Sequence, residues 1–108
     1  MSVEEQAFRM KLKRGAATEY RRRHDAIWPE LVADMRARGI CDYRIWLDEA
    51  TGDLFAVIRR DPAITANAAP SAIVRRWWDF MADLMEVQAD NAPLQSPLTS
   101  AFVWVGSR

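Results

Sequence analysis

The chain has 108 residues, enough for one domain and hardly enough for two, and half of them are hydrophobic, so a packed core is within reach. Fifteen Lys and Arg balance fifteen Asp and Glu, whereas a nucleic-acid binder carries a basic excess to neutralise phosphates. The lone Cys41 can close no intrachain disulfide, no Cys/His cluster has zinc spacing, no apolar run approaches the ~20 residues that span a bilayer, and Met1–Glu5 lacks the basic-then-apolar run of a signal peptide. These features predict a soluble cytoplasmic domain over residues 1–108, with no metal, membrane or nucleic-acid partner.

Ala7-Phe8-Arg9-Met10-Lys11-Leu12-Lys13 alternates apolar and charged residues, the period of a half-buried strand, and Gly15 ends it. Ala16 to about Arg38 reads as helix, with Tyr20, His24, Ile27, Leu31 and Met35 at three- and four-residue steps. Pro29 lies inside that run and has no backbone N–H, so a kink or restart near Ile27-Trp28 is expected; Gly39 fits the position just past the helix end. Tyr43–Leu47 and Leu54–Ile58 are rich in aromatic and β-branched residues and flank the polar loop Asp48–Asp53, the pattern of a hairpin. After the alanine-rich segment 63–72, a helix is expected over Ser71–Glu86, with Ile73, Trp77, Phe80, Met81 and Leu84 on its apolar face. Gln88–Pro97 reads as ordered loop and Ala101–Val105 as the last strand.

Strand, helix, strand, strand, helix, strand is the ferredoxin-like order: a four-stranded antiparallel sheet with two helices on one face. Strand 2 places Trp46 on one face and Ile45 and Leu47 on the other, and strand 3 is apolar on both. A sheet apolar on both faces needs cover, so a homodimer is expected.

Tyr20 and His24 are four apart and share a helix face. Histidine gives and takes protons near neutrality, and tyrosine offers a hydroxyl of ordinary pKa ~10. The same spacing also fits a core histidine beside a half-buried tyrosine, and on spacing alone that reading is the commoner. Trp77 and Trp78 are adjacent and point about 100° apart around a helix, so one can fill the core while the other lines a cavity. An indole face packs well on the C–H face of a sugar, but simple core filling again suffices. Tyr43 opens strand 2 and either faces the same pocket or caps the sheet. Arg21-Arg22-Arg23 reads as a solvated face.

Together, Glu19–His24 with Ile27–Leu31, then Tyr43–Asp48, Arg76–Met81 and Asp90–Pro93 closely resemble the L-rhamnose mutarotase family, nearly end to end from Phe8 to Trp104. The resemblance implies a dimeric α+β barrel and an isomerase that interconverts the α and β anomers of a monosaccharide, L-rhamnose or a related deoxy sugar, without cofactor. It implies His24 as proton donor and Tyr20, Tyr43, Trp77 and Trp78 as sugar contacts. Two other readings compete. One is a cofactor-independent monooxygenase of the same barrel architecture, which would favour a deeper, apolar cavity. The other is a non-enzymatic sugar-binding dimer module, which would need no titrating group.

Overall fold

In the computed structural model, residues 3–64 and 69–106 are described; Met1-Ser2 and the middle of the alanine-rich segment lie outside them. Strand β1, Glu4–Lys11, follows from the alternating N-terminal pattern, with Phe8 and Met10 buried and Arg9 exposed between them. The expected helical run forms as two helices, α1 (Ala17–Asp25) and α2 (Pro29–Ala37). Pro29 causes the break: it occupies the first turn of α2, where its missing N–H costs no hydrogen bond, and Trp28 before it is extended. Gly39 ends α2 at φ +83°; a Cβ there would lie 3.0 Å from the Ile64 Cβ and 3.2 Å from the Asp61 carbonyl oxygen, so glycine answers both the backbone and the space.

Strands β2 (Ile40–Asp48) and β3 (Asp53–Arg60) make the expected hairpin, longer at both ends than propensity alone outlined. Its turn needs Gly52 at φ +81°. The pairing runs from Asp42↔Arg59 to Asp48↔Asp53, with a bulge at Cys41. Helix α3 (Ala72–Met81) starts on Ser71, whose hydroxyl accepts the Val74 N–H at 3.3 Å, and tightens into a 3₁₀ turn at Ala82–Leu84.

The last strand differs from expectation. Strand β4 is Ser96–Leu98, inside the segment read as loop and its sequel, and residues 101–105 form no strand. Register explains this. β4 runs antiparallel to β1 with Arg9↔Ser96 and Ala7↔Leu98. Continuing that register brings residue 101 opposite Glu4, where β1 begins, so Phe102–Val105 have run past the strand they would join. Phe102 and Trp104 are 84% and 77% exposed. Pro97 is tolerated because β4 is an edge strand.

The sheet order is β2-β3-β1-β4, all antiparallel, an α+β arrangement. Phe8, Met10, Leu54, Ala56 and Ile58 of the sheet pack with Tyr20, Met81, Leu84 and Met85 to form the core, with Ile45, Leu47 and Trp77 against its edge. The opposite sheet face carries Trp46 beside Phe55, and Leu98 beside Ala7, with Trp46 54% exposed. The expectation of apolar residues on both faces therefore holds, and the helices cover only one of them. Among the described residues no helix is long and apolar enough to cross a membrane.

Candidate active site

Four-residue spacing brings Tyr20 and His24 together on α1, with ring centroids 4.4 Å apart. The Nδ1 of His24 lies 3.0 Å from the Tyr20 carbonyl oxygen. A carbonyl oxygen only accepts, so Nδ1 carries the hydrogen and the neutral ring keeps its lone pair on Nε2. Nε2 is therefore the atom that gains and loses a proton. Burial lowers the pKa of His24 below its ordinary value, against smaller opposing effects of the Tyr20 carbonyl and the Asp25 charge. The neutral ring thus predominates at neutral pH.

Helix α3 supplies the second wall. Trp77 meets His24 edge-on with centroids 5.4 Å apart, and the break between α1 and α2 turns Trp28 against it at 5.0 Å. Phe80, one helical turn after Trp77, closes the group at 5.7 Å from Trp77 and 5.2 Å from Trp28. Such tilted and edge-on pairs suit the ring quadrupoles.

The sheet contributes Tyr43, which projects from β2 on the same side as Ile45, toward the helices. It stands near enough to Tyr20 that a phenolate on it would oppose Tyr20 ionisation, though burial is the larger reason that the Tyr20 phenol lies well above its ordinary value. The Tyr43 residue is 39% exposed, but desolvation at its hydroxyl pushes the phenol up to about 12. Both phenols are neutral across the physiological range and act there as hydrogen-bond donors and acceptors.

Of the five residues singled out from the sequence, Tyr20, His24, Tyr43 and Trp77 come together. Trp78 is half-buried on the neighbouring face of α3 and makes no ring contact with the group among the described residues. Trp77 combines the two parts foreseen for the pair, since it packs on the core edge and also faces His24. Trp28 and Phe80 join the wall without having been singled out; their signals were a four-residue step from His24 and a three-residue step from Trp77. The solvated-face reading of Arg21-Arg22-Arg23 fails for Arg23, whose side chain is only 12% exposed. Two surface hollows elsewhere, beside Glu4–Gln6 and Arg60 and beside Arg9–Lys11 and Ser96, include none of the five. Among the described residues no group of three or more His, Cys, Asp or Glu is placed to hold a metal ion.

This geometry presents one titratable nitrogen, two neutral phenols and a wall of indole and phenyl rings, a set suited to proton transfer on a small hydroxylated ring. Comparison with known proteins agrees. A family described as L-rhamnose mutarotase matches residues 5–104. An L-rhamnose mutarotase from Acidiphilium cryptum is 52% identical over 101 residues, covering 93% of this chain and 97% of that protein. One from Sinorhizobium fredii is also 52% identical over 101 residues, with the same coverage. The crystal structure of an L-rhamnose mutarotase from Formosa agariphila superposes with a TM-score of 0.85 at 41% identity, over 94% of this chain and 99% of that one. With the family match over residues 5–104 and these relatives covered nearly end to end, the chain belongs to the L-rhamnose mutarotase family.

Proposed function

We propose that this chain is an isomerase that interconverts the α and β pyranose anomers of L-rhamnose, a reaction of rhamnose metabolism carried out in the cytoplasm. The observation that carries this reading is the pinned histidine: Nδ1 is held by the Tyr20 carbonyl, which leaves Nε2 for the sugar beside Trp77. Protonated Nε2 donates to the ring oxygen while a solvent water takes the proton of the anomeric hydroxyl, and the C1–O5 bond breaks to give the open-chain aldehyde. Rotation about C1–C2 and closure on the other carbonyl face return both protons. No electrons are gained or lost, so the reaction calls for no redox cofactor. Tyr20 and Tyr43, as neutral phenols, bond the sugar hydroxyls, and the Trp77 indole packs on its apolar C–H face. Trp78 is kept as a sugar contact on the family relation alone. That relation also favours the mutarotase over the monooxygenase and the non-enzymatic module.

The lowered pKa of His24 fixes the sign of the pH dependence. A donor with a depressed pKa is scarce at pH 7, so the rate should rise as pH falls below ~6.5 and level off once the cation predominates. A rate that instead falls over that range would make His24 the base. NMR exchange spectroscopy on anomer signals, run over a panel of deoxy sugars, tests the substrate. L-Rhamnose should exchange fastest, and a clear preference for another sugar would reassign it.

Tyr20→Phe deletes one neutral hydrogen bond, worth about 0.5–1.5 kcal/mol. It should raise KM roughly 3- to 10-fold with little change in kcat, which marks a binding role. A collapse of kcat would make Tyr20 a proton relay.

We also propose that residues 1–108 act as one sugar mutarotase domain that pairs as a homodimer, two sheets facing each other in an α+β barrel. Trp46, Phe55 and Leu98 on the open face, with the exposed Phe102–Val105, support this, because monomers rarely leave such surface uncovered. Light scattering at micromolar concentration should give the mass of two chains, and a stable single-chain mass would contradict the pairing.

A further inference from the structure

Arg23 stands directly before His24, and its guanidinium joins α1 to α3. Its Nε donates to Glu19 Oε2 at 2.8 Å, one terminal nitrogen donates to the Phe80 carbonyl at 2.6 Å and to Asp83 Oδ1 at 2.8 Å, and the other donates to Asp83 Oδ2 at 3.1 Å. The bond to Asp83 is bidentate, and the cation also lies 4.6 Å from the centroid of the Phe80 ring. Glu19 is held down to about 2 by bonds from Arg22 and then Arg23, and Asp83 is held below its ordinary value chiefly by Arg23, so both carboxylates stay charged as partners.

The arrangement is contiguous. Arg23 grips the Phe80 ring and carbonyl, Phe80 packs on Trp77 and Trp28, and Trp77 meets the His24 ring edge-on. Among the described residues this clamp ties the helix that bears the histidine to the helix that bears its wall through polar bonds. We propose that Arg23 is a positioning residue of the mutarotase reaction: by fixing α3 against α1 it holds Trp77 on the His24 ring and keeps Nε2 aligned with the sugar and screened from bulk water. It acts through Phe80 and Trp77 rather than by touching substrate, and it builds on the mutarotase reading above.

Lysine at this position keeps the charge but loses the fork and the planar stacking, so Arg23→Lys separates geometry from charge. Around His24 the titratable groups are Tyr20 and Asp25 of its own helix and, beside Tyr20, Tyr43 of β2, whose phenol stays neutral; α3 presents the Trp77 ring, which does not titrate. Loosening α3 admits water, and the His24 midpoint then moves up toward its ordinary value. Because His24 is the only histidine, its imidazole protons give an isolated NMR signal.

The test compares wild type with Arg23→Lys, Asp83→Asn and Arg21→Gln, each checked for fold by circular dichroism. Measured are kcat and KM for L-rhamnose anomer exchange and the pH midpoint of the His24 signal. Arg23→Lys should lower kcat about 10-fold or more with KM changed less than ~3-fold, because small misplacements near the chemistry carry costs up to roughly 10²-fold. Its His24 midpoint should rise. Asp83→Asn, which leaves Arg23 on Glu19 and Phe80, should shift both readouts the same way by less, and it serves alone where Arg23→Lys does not fold. Arg21→Gln, whose partner Glu49 lies on the hairpin loop, should match wild type. A folded Arg23→Lys protein with wild-type kcat and His24 midpoint but a lower melting temperature would overturn the proposal and leave Arg23 as a structural tie. If no protein, wild type included, accelerates exchange, the mutarotase reading fails, and an unmoved His24 midpoint in Arg23→Lys still overturns the clamp on its own.

Discussion

His24→Ala is expected to slow anomer exchange by about 10²- to 10⁴-fold, the usual contribution of a positioned acid–base group. The fold should persist, because the ring is only half-buried and its polar bond is to a carbonyl within its own helix. Sugar affinity should fall much less than kcat, since in the proposed mechanism binding draws on the phenols and the indole while proton transfer matters in the transition state. The limb of the pH–rate profile below neutrality should vanish with it, as the chain holds no other histidine. Folded His24→Ala protein with a wild-type exchange rate would remove His24 from the mechanism.

Trp77→Ala is expected to cost both stability and activity. The ring packs on the core edge and touches His24, Trp28 and Phe80, so truncation leaves a cavity and unseats the histidine. Full burial of a tryptophan costs ~3–5 kcal/mol on truncation, and partial burial brings this to about 2–4. For a domain of this size the melting temperature should drop on the order of 10–20 °C. Trp78→Ala, outside the ring cluster, should melt nearer wild type and weaken sugar affinity. Equal melting points for the two variants, with wild-type exchange in Trp77→Ala, would contradict the division of labour between these neighbours.

Much of this fold was legible because periodicity reports burial directly. Phe8 and Met10 alternate with charges, Ile45 and Leu47 oppose Trp46, and Ile73, Trp77, Phe80 and Met81 keep the step of a helix face. Pro29 announced the break that turns Trp28 toward the site. The last strand was not legible, because Ala101–Val105 has strand-like composition but pairing depends on register with β1, and β1 begins at Glu4, too late to receive residues beyond 101. In the site, Tyr20–His24 was readable as one helical step. The partnership of His24 with Trp77, the nearness of Tyr43 to Tyr20, and the clamp of Arg23 on Asp83 join residues far apart in the chain, and only the packing of α3 and β2 on α1 reveals them. Arg23 shares its sequence context with Arg21 and Arg22, which remain exposed, so composition alone could not separate them.

We propose that the Tyr20–His24–Trp77 site catalyses anomer exchange of L-rhamnose. Selective inversion of the α-anomer H1 resonance, followed by transfer to the β signal, measures that exchange at equilibrium, with protein at catalytic concentration. Wild-type protein should transfer magnetisation well above the buffer rate, in proportion to protein concentration, and His24→Ala should return the transfer close to the buffer rate. Folded wild-type protein that leaves L-rhamnose exchanging at the rate of buffer alone would remove the mutarotase activity from this chain.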